Sequence, residues 1–152
     1  MREFSLERSV VLRESLQEVY EFFLDPTNLQ ELTPPWLDFR VLGSSTERVE
    51  LGTTIDYRLK VRGVPIRWRS VISSWDPPRS FVDEQLKGPY RMWHHTHTFE
   101  ETDGGVRVGD KVRYAVPGGP LFERLVERVF VGPDVRRIFD YRMERLGELF
   151  AS

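Results

Sequence analysis

The sequence predicts an α+β fold in which a curved, seven-stranded antiparallel sheet grips a long C-terminal helix, in the order strand, two helices, six strands, helix. Three observations carry that expectation. Between Ile55 and Val116 apolar and polar side chains alternate with a period of two, and turn signals cut the run at roughly 8 to 12 residue spacing. From Leu121 to Phe150 the apolar period returns to 3.6. One strand pattern and two short helical patterns precede both. A sheet of seven strands is too wide for one helix to cover flat, so it must curve around the helix, which tends to leave a gap between them.

The chain has 152 residues, 39% hydrophobic and 30% charged, which fits one globular domain spanning 1–152. It has no cysteine, so disulfides, thiolate metal sites and a cysteine nucleophile are excluded. A formal charge of -2 gives the molecule no overall attraction to nucleic acid or anionic lipid. The opening Met1-Arg2-Glu3-Phe4-Ser5-Leu6-Glu7-Arg8 lacks the apolar run that export or stable membrane insertion needs, so a cytoplasmic location is expected. Phosphate-binding glycine loops, nucleophile elbows and helical metal motifs are missing; no cofactor is expected, and nucleotide-dependent enzymes are poor candidates.

The elements follow in order. Phe4 to Leu12 reads as an opening strand, and Ser15-Leu16-Gln17-Glu18 has the spacing of a capping box. Leu16, Val19, Tyr20 and Phe23 then fall on one helical face. Asp25-Pro26 starts a second short helix, which ends before Pro34-Pro35. Strand periodicity begins at Trp36. Ile55, Tyr57, Leu59 and Val61 alternate with charged residues, Gly63 allows a reversal, and Ile66, Trp68, Ser70 and Ile72 lead to the turn at Trp75-Asp76-Pro77-Pro78. Phe81 to Leu86, Arg91 to Glu100 and Val106 to Val116 complete the meander. The last helix would reach on the order of 45 Å if straight. Gly132-Pro133 lies within it, where proline removes a donor and clashes with the carbonyl four residues back, so a kink or break is expected there.

The stretches Phe81-Val82-Asp83-Glu84-Gln85, Gly88-Pro89-Tyr90, Trp93-His94-His95-Thr96-His97-Thr98-Phe99, Val112-Arg113-Tyr114 and Ile138-Phe139-Asp140-Tyr141-Arg142 resemble the SRPBCC superfamily. That superfamily includes START domains, Bet v 1-like allergens, polyketide cyclases and coenzyme Q-binding proteins, and the resemblance is START-like, Bet v 1-like and polyketide cyclase-like. It covers essentially the whole chain and implies the helix-grip, Bet v 1-like fold. Members carry lipids, bind hormones or quinones, cyclise polyketides or assist chaperones, and fold alone does not choose among these. Gly132-Pro133 departs from the superfamily's uninterrupted terminal helix.

All three histidines lie in His94-His95-Thr96-His97. On a strand His95 and His97 share a face with Trp93 and Phe99, while His94 points away. An i, i+2 histidine pair supplies two metal ligands where zinc takes three or four, so no metal site is expected. The favoured role for the pair is hydrogen bonding inside a cavity, with acid–base action on a ligand as the alternative. Alternation puts Asp110 beside Val108, Val112 and Tyr114, where a lone carboxylate is costly and needs a partner. Arg142 shares a helical face with Ile138, Phe139 and Leu146; it either reaches in to pair with Asp110 or Asp83, or snorkels to solvent. A three-residue loop at Lys87-Gly88-Pro89 would place Asp83 and Gln85 on the face of Trp93 and His95.

Trp36, Tyr57, Trp68, Trp93 and Tyr114 would give the inward face an aromatic wall suited to flat or isoprenoid-like ligands, unless the rings simply fill the interior. The expected ligand-binding set is thus Trp36, Tyr57, Trp68, Asp83, Gln85, Trp93, His95, His97, Tyr114, Phe139 and Arg142. Arg58, Arg62, Arg67 and Arg69 read as a solvated outer face. The leading functional expectation is a binding or carrier protein for a small hydrophobic or aromatic molecule such as a lipid, quinone or polyketide. The first alternative is a cyclase or dehydratase-type enzyme using His95, His97 and Asp110. The second is an interaction module whose sheet surface docks a protein partner transiently.

Overall fold

A computed structural model describes residues 2–151. Strand β1 (Phe4–Leu12) is followed by helix α1 (Leu16–Phe23), whose N-cap Ser15 accepts the Glu18 N–H through its side chain. Val19, Tyr20 and Phe23 are buried, as the apolar face requires. Asp25 accepts from the Thr27 N–H and opens a 3₁₀ helix, Pro26–Leu32. Pro34-Pro35 then starts a second 3₁₀ turn, Pro35–Leu37, where the sequence predicts the onset of strand structure. The consequence falls on Trp36. A three-residue period turns Leu37 inward and Trp36 outward, so Trp36 does not join the inward wall expected of it; it is half exposed and packs against Tyr141.

Strands β2 (Arg40–Ser44), β3 (Thr54–Val61), β4 (Val64–Asp76), β5 (Ser80–Lys87), β6 (Met92–Thr102) and β7 (Gly105–Ala115) form a meander, and β1 adds to it beside β7. The sheet is antiparallel, in the order β1-β7-β6-β5-β4-β3-β2. Arg62 and Gly63 both take positive φ between β3 and β4, the geometry of a two-residue hairpin turn that matches strand twist. Register shifts interrupt β4 against β5 at Arg69/Ser70 and Ile72/Ser74, the bulges expected where a sheet bends. The inward residues Ile55, Trp68, Ile72, Phe81, Phe99, Val108 and Val112 are buried.

The C-terminal segment runs as helix α2 (Gly119–Val126), a π turn (Glu127–Val131) and helix α3 (Gly132–Leu149). The chain does not break at Gly132-Pro133. The ladder instead loosens one turn earlier, where the Gly132 N–H reaches the Glu127 carbonyl five residues back. Pro133 has no N–H, and a wider turn before it accommodates its ring against the carbonyl of Val129. Helix α3 presents Val135, Phe139, Arg142 and Leu146 to the concave sheet in steps of four, three and four. The architecture is the α+β helix-grip fold.

Candidate functional site

Register brings the polar residues together. Asp83 on β5 lies opposite His95 on β6, and His97 lies opposite Asp110 on β7, so three neighbouring strands place one row of side chains beneath α3. Arg142 completes the row from above. Its Nε donates to Asp110 Oδ2 at 2.6 Å, and its Nη2 lies 3.3 Å from His97 Nδ1. A guanidinium can only donate, so His97 Nδ1 is the acceptor, and the ring proton sits on Nε2, which donates to Asp83 Oδ2. His95 Nε2 lies 2.7 Å from Asp110 Oδ1, and its Nδ1 lies 3.6 Å from Asp83 Oδ2. The two imidazole rings stack at 3.8 Å.

The electrostatics follow from burial and pairing. Burial alone would raise both carboxyls toward the neutral form. For Asp110 the Arg142 charge and the contacts with His95 outweigh it, holding the group far below the usual carboxylate range. Asp83 is lowered by His95, by its hydrogen bond from His97 and by Arg142 against the same opposing effect. Burial, then the neighbouring His95, push His97 down to about 4 in spite of its bond to Asp83. His97 is therefore neutral near pH 7, in agreement with a ring that donates at one nitrogen and accepts at the other.

Aromatic rings wall off this cluster. Phe81 stacks on His97 at 4.3 Å, Phe139 meets His95 edge-on at 5.2 Å, and the Arg142 guanidinium lies over Phe23. Asp83 keeps 16% side-chain exposure, against 8% or less for the other four members. Asp83, His95 and His97 offer ligand atoms within 4.8 Å of one another, the two-histidine, one-carboxylate set known from metal sites. Chemistry limits that use. Both His97 nitrogens are committed while Arg142 donates to one of them, and the guanidinium is itself a cation at the site.

Phe139 also reaches a second, aromatic end of the interior. Its ring stacks on Trp93 at 6.2 Å. Trp93 in turn contacts Tyr90 at 4.7 Å, Trp68 at 5.4 Å and Tyr114 at 6.1 Å. A row Phe39, Tyr57, Trp68 continues toward the β2 edge with centroid spacings of 4.7 and 5.8 Å. Rings thus occupy much of the gap expected between sheet and helix. Around Trp68 only Leu37 and Leu59 are also fully buried, while Phe39, Tyr57, Val61, Tyr90, Trp93 and Ile138 are half-buried. This end of the interior is the less completely buried one. Two hollows lie outside it and are lined mainly by polar side chains: one of about 350 Å³ among Asp56, Arg67, Arg69 and Lys87 at the level of Tyr57 and Trp68, and one of about 580 Å³ beside Phe39 and Tyr141 among Glu31, Asp38, Arg40 and Arg145.

Of the residues singled out from sequence, Asp83, His95, His97, Asp110 and Arg142 meet in the charged cluster. Tyr57, Trp68, Trp93, Tyr114 and Phe139 meet in the aromatic one. Gln85 joins neither: its side-chain amide bonds the Tyr90 N–H and carbonyl and closes the β5–β6 loop. That clamp carries Tyr90 inward. Tyr90 sits in a Gly-Pro turn and so gave no strand signal, and Phe39 follows the unforeseen 3₁₀ turn. Phe81 was legible, since it alternates in phase with Asp83.

A family model described as polyketide cyclase / dehydrase and lipid transport matches residues 3–151. A search of curated proteins finds no match. Among solved structures, protein CV1439 from Chromobacterium violaceum superposes with a TM-score of 0.74 at 15% identity, covering 98% of this chain and 99% of its own. Major latex-like protein 151 from Panax ginseng gives 0.71 at 11% identity, with 99% of each chain covered. TTHA0849 from Thermus thermophilus gives 0.64 at 19% identity, with 99% and 100% covered. At these identities the likeness is one of fold.

Proposed function

The chain belongs to the polyketide cyclase / dehydrase and lipid transport family of the SRPBCC superfamily, and from that premise we propose that it binds or carries a small hydrophobic or aromatic molecule. In this reading residues 1–152 act as a single domain, and the ligand enters at the aromatic end. Tyr57, Trp68, Trp93, Tyr114 and Phe139 form the wall it lies on. The observation that carries the proposal is the contrast between the two ends of the interior. Around Phe23 and Phe99 fully buried side chains outnumber half-buried ones, fourteen to ten, whereas around Trp68 three buried side chains are edged by six half-buried ones. Half-buried aromatic surface with few polar groups gains most by covering itself with an apolar ligand.

A cyclase or dehydratase-type enzyme is the second reading, favoured by the buried pairing of His95 and His97 with Asp110 and Asp83. It ranks lower because both His97 nitrogens are committed within the cluster. Native mass spectrometry of the protein purified from its own host tests the proposal. A co-purifying lipid, quinone or polyketide-like molecule is expected, and Trp93→Ala should lower its occupancy. A protein that emerges empty and turns over an aromatic polyketide, with loss of turnover in His95→Ala, would replace the carrier by the enzyme.

A further inference from the structure

We propose that Trp68 is the hydrogen-bond donor of the ligand site, and that the ligand it takes presents a neutral acceptor such as a carbonyl oxygen to its indole N–H. The inference rests on the reading of the chain as a hydrophobic-ligand binder and specifies the chemistry of what is bound.

Trp68 is 7% exposed, and its indole Nε1 has no hydrogen-bond partner among the described residues. A buried donor left unpaired costs on the order of 1–3 kcal/mol, and such groups are rare enough that each calls for a reason. The surroundings supply no remedy. Trp68 packs among Leu37, Leu59, Tyr57, Tyr90 and Trp93, and the Tyr57 hydroxyl is paired with Ser70 Oγ at 3.0 Å. The other two buried orphans, Tyr20 Oη and Thr102 Oγ1, lie elsewhere: Tyr20 packs on Trp75 and Phe99, and Thr102 ends β6 at its turn. Of the three, Trp68 alone belongs to the aromatic cluster.

The chemistry of the partner follows. Indole N–H is a donor only, so the ligand must accept. An ionised acceptor would need a counter-charge once desolvated among rings. Arg142, the one buried Arg or Lys among the described residues, is committed to Asp110. A neutral oxygen on an otherwise apolar, flat skeleton meets both conditions.

The matched probes 9-fluorenone and fluorene differ only in a carbonyl against a methylene. Their binding is to be followed by ¹H–¹⁵N NMR of the indole N–H resonances, assigned with Trp36→Phe, Trp75→Phe and Trp93→Phe. The expected result is that fluorenone binds about fivefold more tightly than fluorene, as one neutral hydrogen bond allows. It should also move the Trp68 indole proton downfield, which fluorene does not. Trp68→Phe should erase the preference for fluorenone over fluorene, whatever it does to the affinity the two probes share. Equal affinities with an unmoved Trp68 N–H would overturn the inference and leave the binder reading standing. Failure of both probes to bind would remove the aromatic site for flat molecules and the inference with it. The resonance shift in the wild-type protein decides the matter even where Trp68→Phe does not fold.

Discussion

Arg142 turns inward from a helix whose other buried side chains are apolar, and it stays there because Asp110 and His97 accept its protons. Removing one partner of a buried pair leaves the other charge uncompensated, which typically costs about 3–5 kcal/mol. Arg142→Met should therefore lower the free energy of urea unfolding by that amount. Adding Asp110→Asn to it should recover part of the loss. A cost below about 1 kcal/mol would mean that water reaches Asp110. His97 makes a second prediction, on pH. Folded His97 titrates at about 4, whereas an unfolded histidine titrates near 6.5. Between those values the unfolded chain binds more protons, so stability falls as pH drops from about 6.5 to about 4, by up to about 3 kcal/mol from this group. His97→Gln should flatten the unfolding midpoint across that window while lowering it at pH 7. Much of this cluster was legible: period-two alternation put His95, His97 and Asp110 on one face, and the 3.6 period put Arg142 on the apolar helix face, with reaching inward and snorkelling outward both open. The choice of Asp110 over Asp83 was not, because side-chain reach depends on sheet curvature, which a linear pattern does not encode.

At the scale of elements, the π turn changes the sign of an ordinary helix rule. Gly to Ala inside a helix usually stabilises by about 0.5–1 kcal/mol. A Cβ on Gly132 would stand 2.9 Å from the Glu127 carbonyl oxygen and 2.5 Å from its carboxylate, which is itself held by the Tyr114 hydroxyl at 2.8 Å. Gly132→Ala is therefore expected to destabilise, and a rise in melting temperature would show that the π turn reverts to α geometry at no cost. Ahead of that turn α2 leaves Leu121, Phe122 and Leu125 exposed, at 87%, 58% and 57%. Leu125→Ser should change unfolding free energy by less than about 0.5 kcal/mol, as measured in urea. The strands and α1 could be read from the sequence because alternation, turn residues and caps agree there. The 3₁₀ turn at Pro35–Leu37 could not, since three residues are too few to show a period, and proline is compatible with both a strand edge and a helix start. Gly132-Pro133 flagged a disturbance correctly, but a five-residue hydrogen bond is one of several ways to absorb a proline, and the pattern does not select among them.

For the whole molecule, a ligand that binds only the folded chain adds RT ln(1 + [L]/Kd), about 2.7 kcal/mol at a hundredfold excess over Kd. Thermal unfolding with rising 9-fluorenone should therefore move upward, and the shift should persist in Leu125→Ser but shrink in Trp93→Ala. The pairing of β1 with β7 has a consequence in time. Phe4 lies opposite Tyr114, and Leu12 opposite Val106. During synthesis at roughly 5–20 residues per second, β1 leaves the ribosome several seconds before its only neighbour in the sheet exists. Hairpins from β3 onward can close locally as they emerge, but β1 must wait with Phe4, Leu6, Val10 and Leu12 uncovered and both edges unpaired. The nascent chain is thus at its most adhesive before residue 106 appears, and slowing translation over 20–105 should lower soluble yield more than slowing it over the last helix.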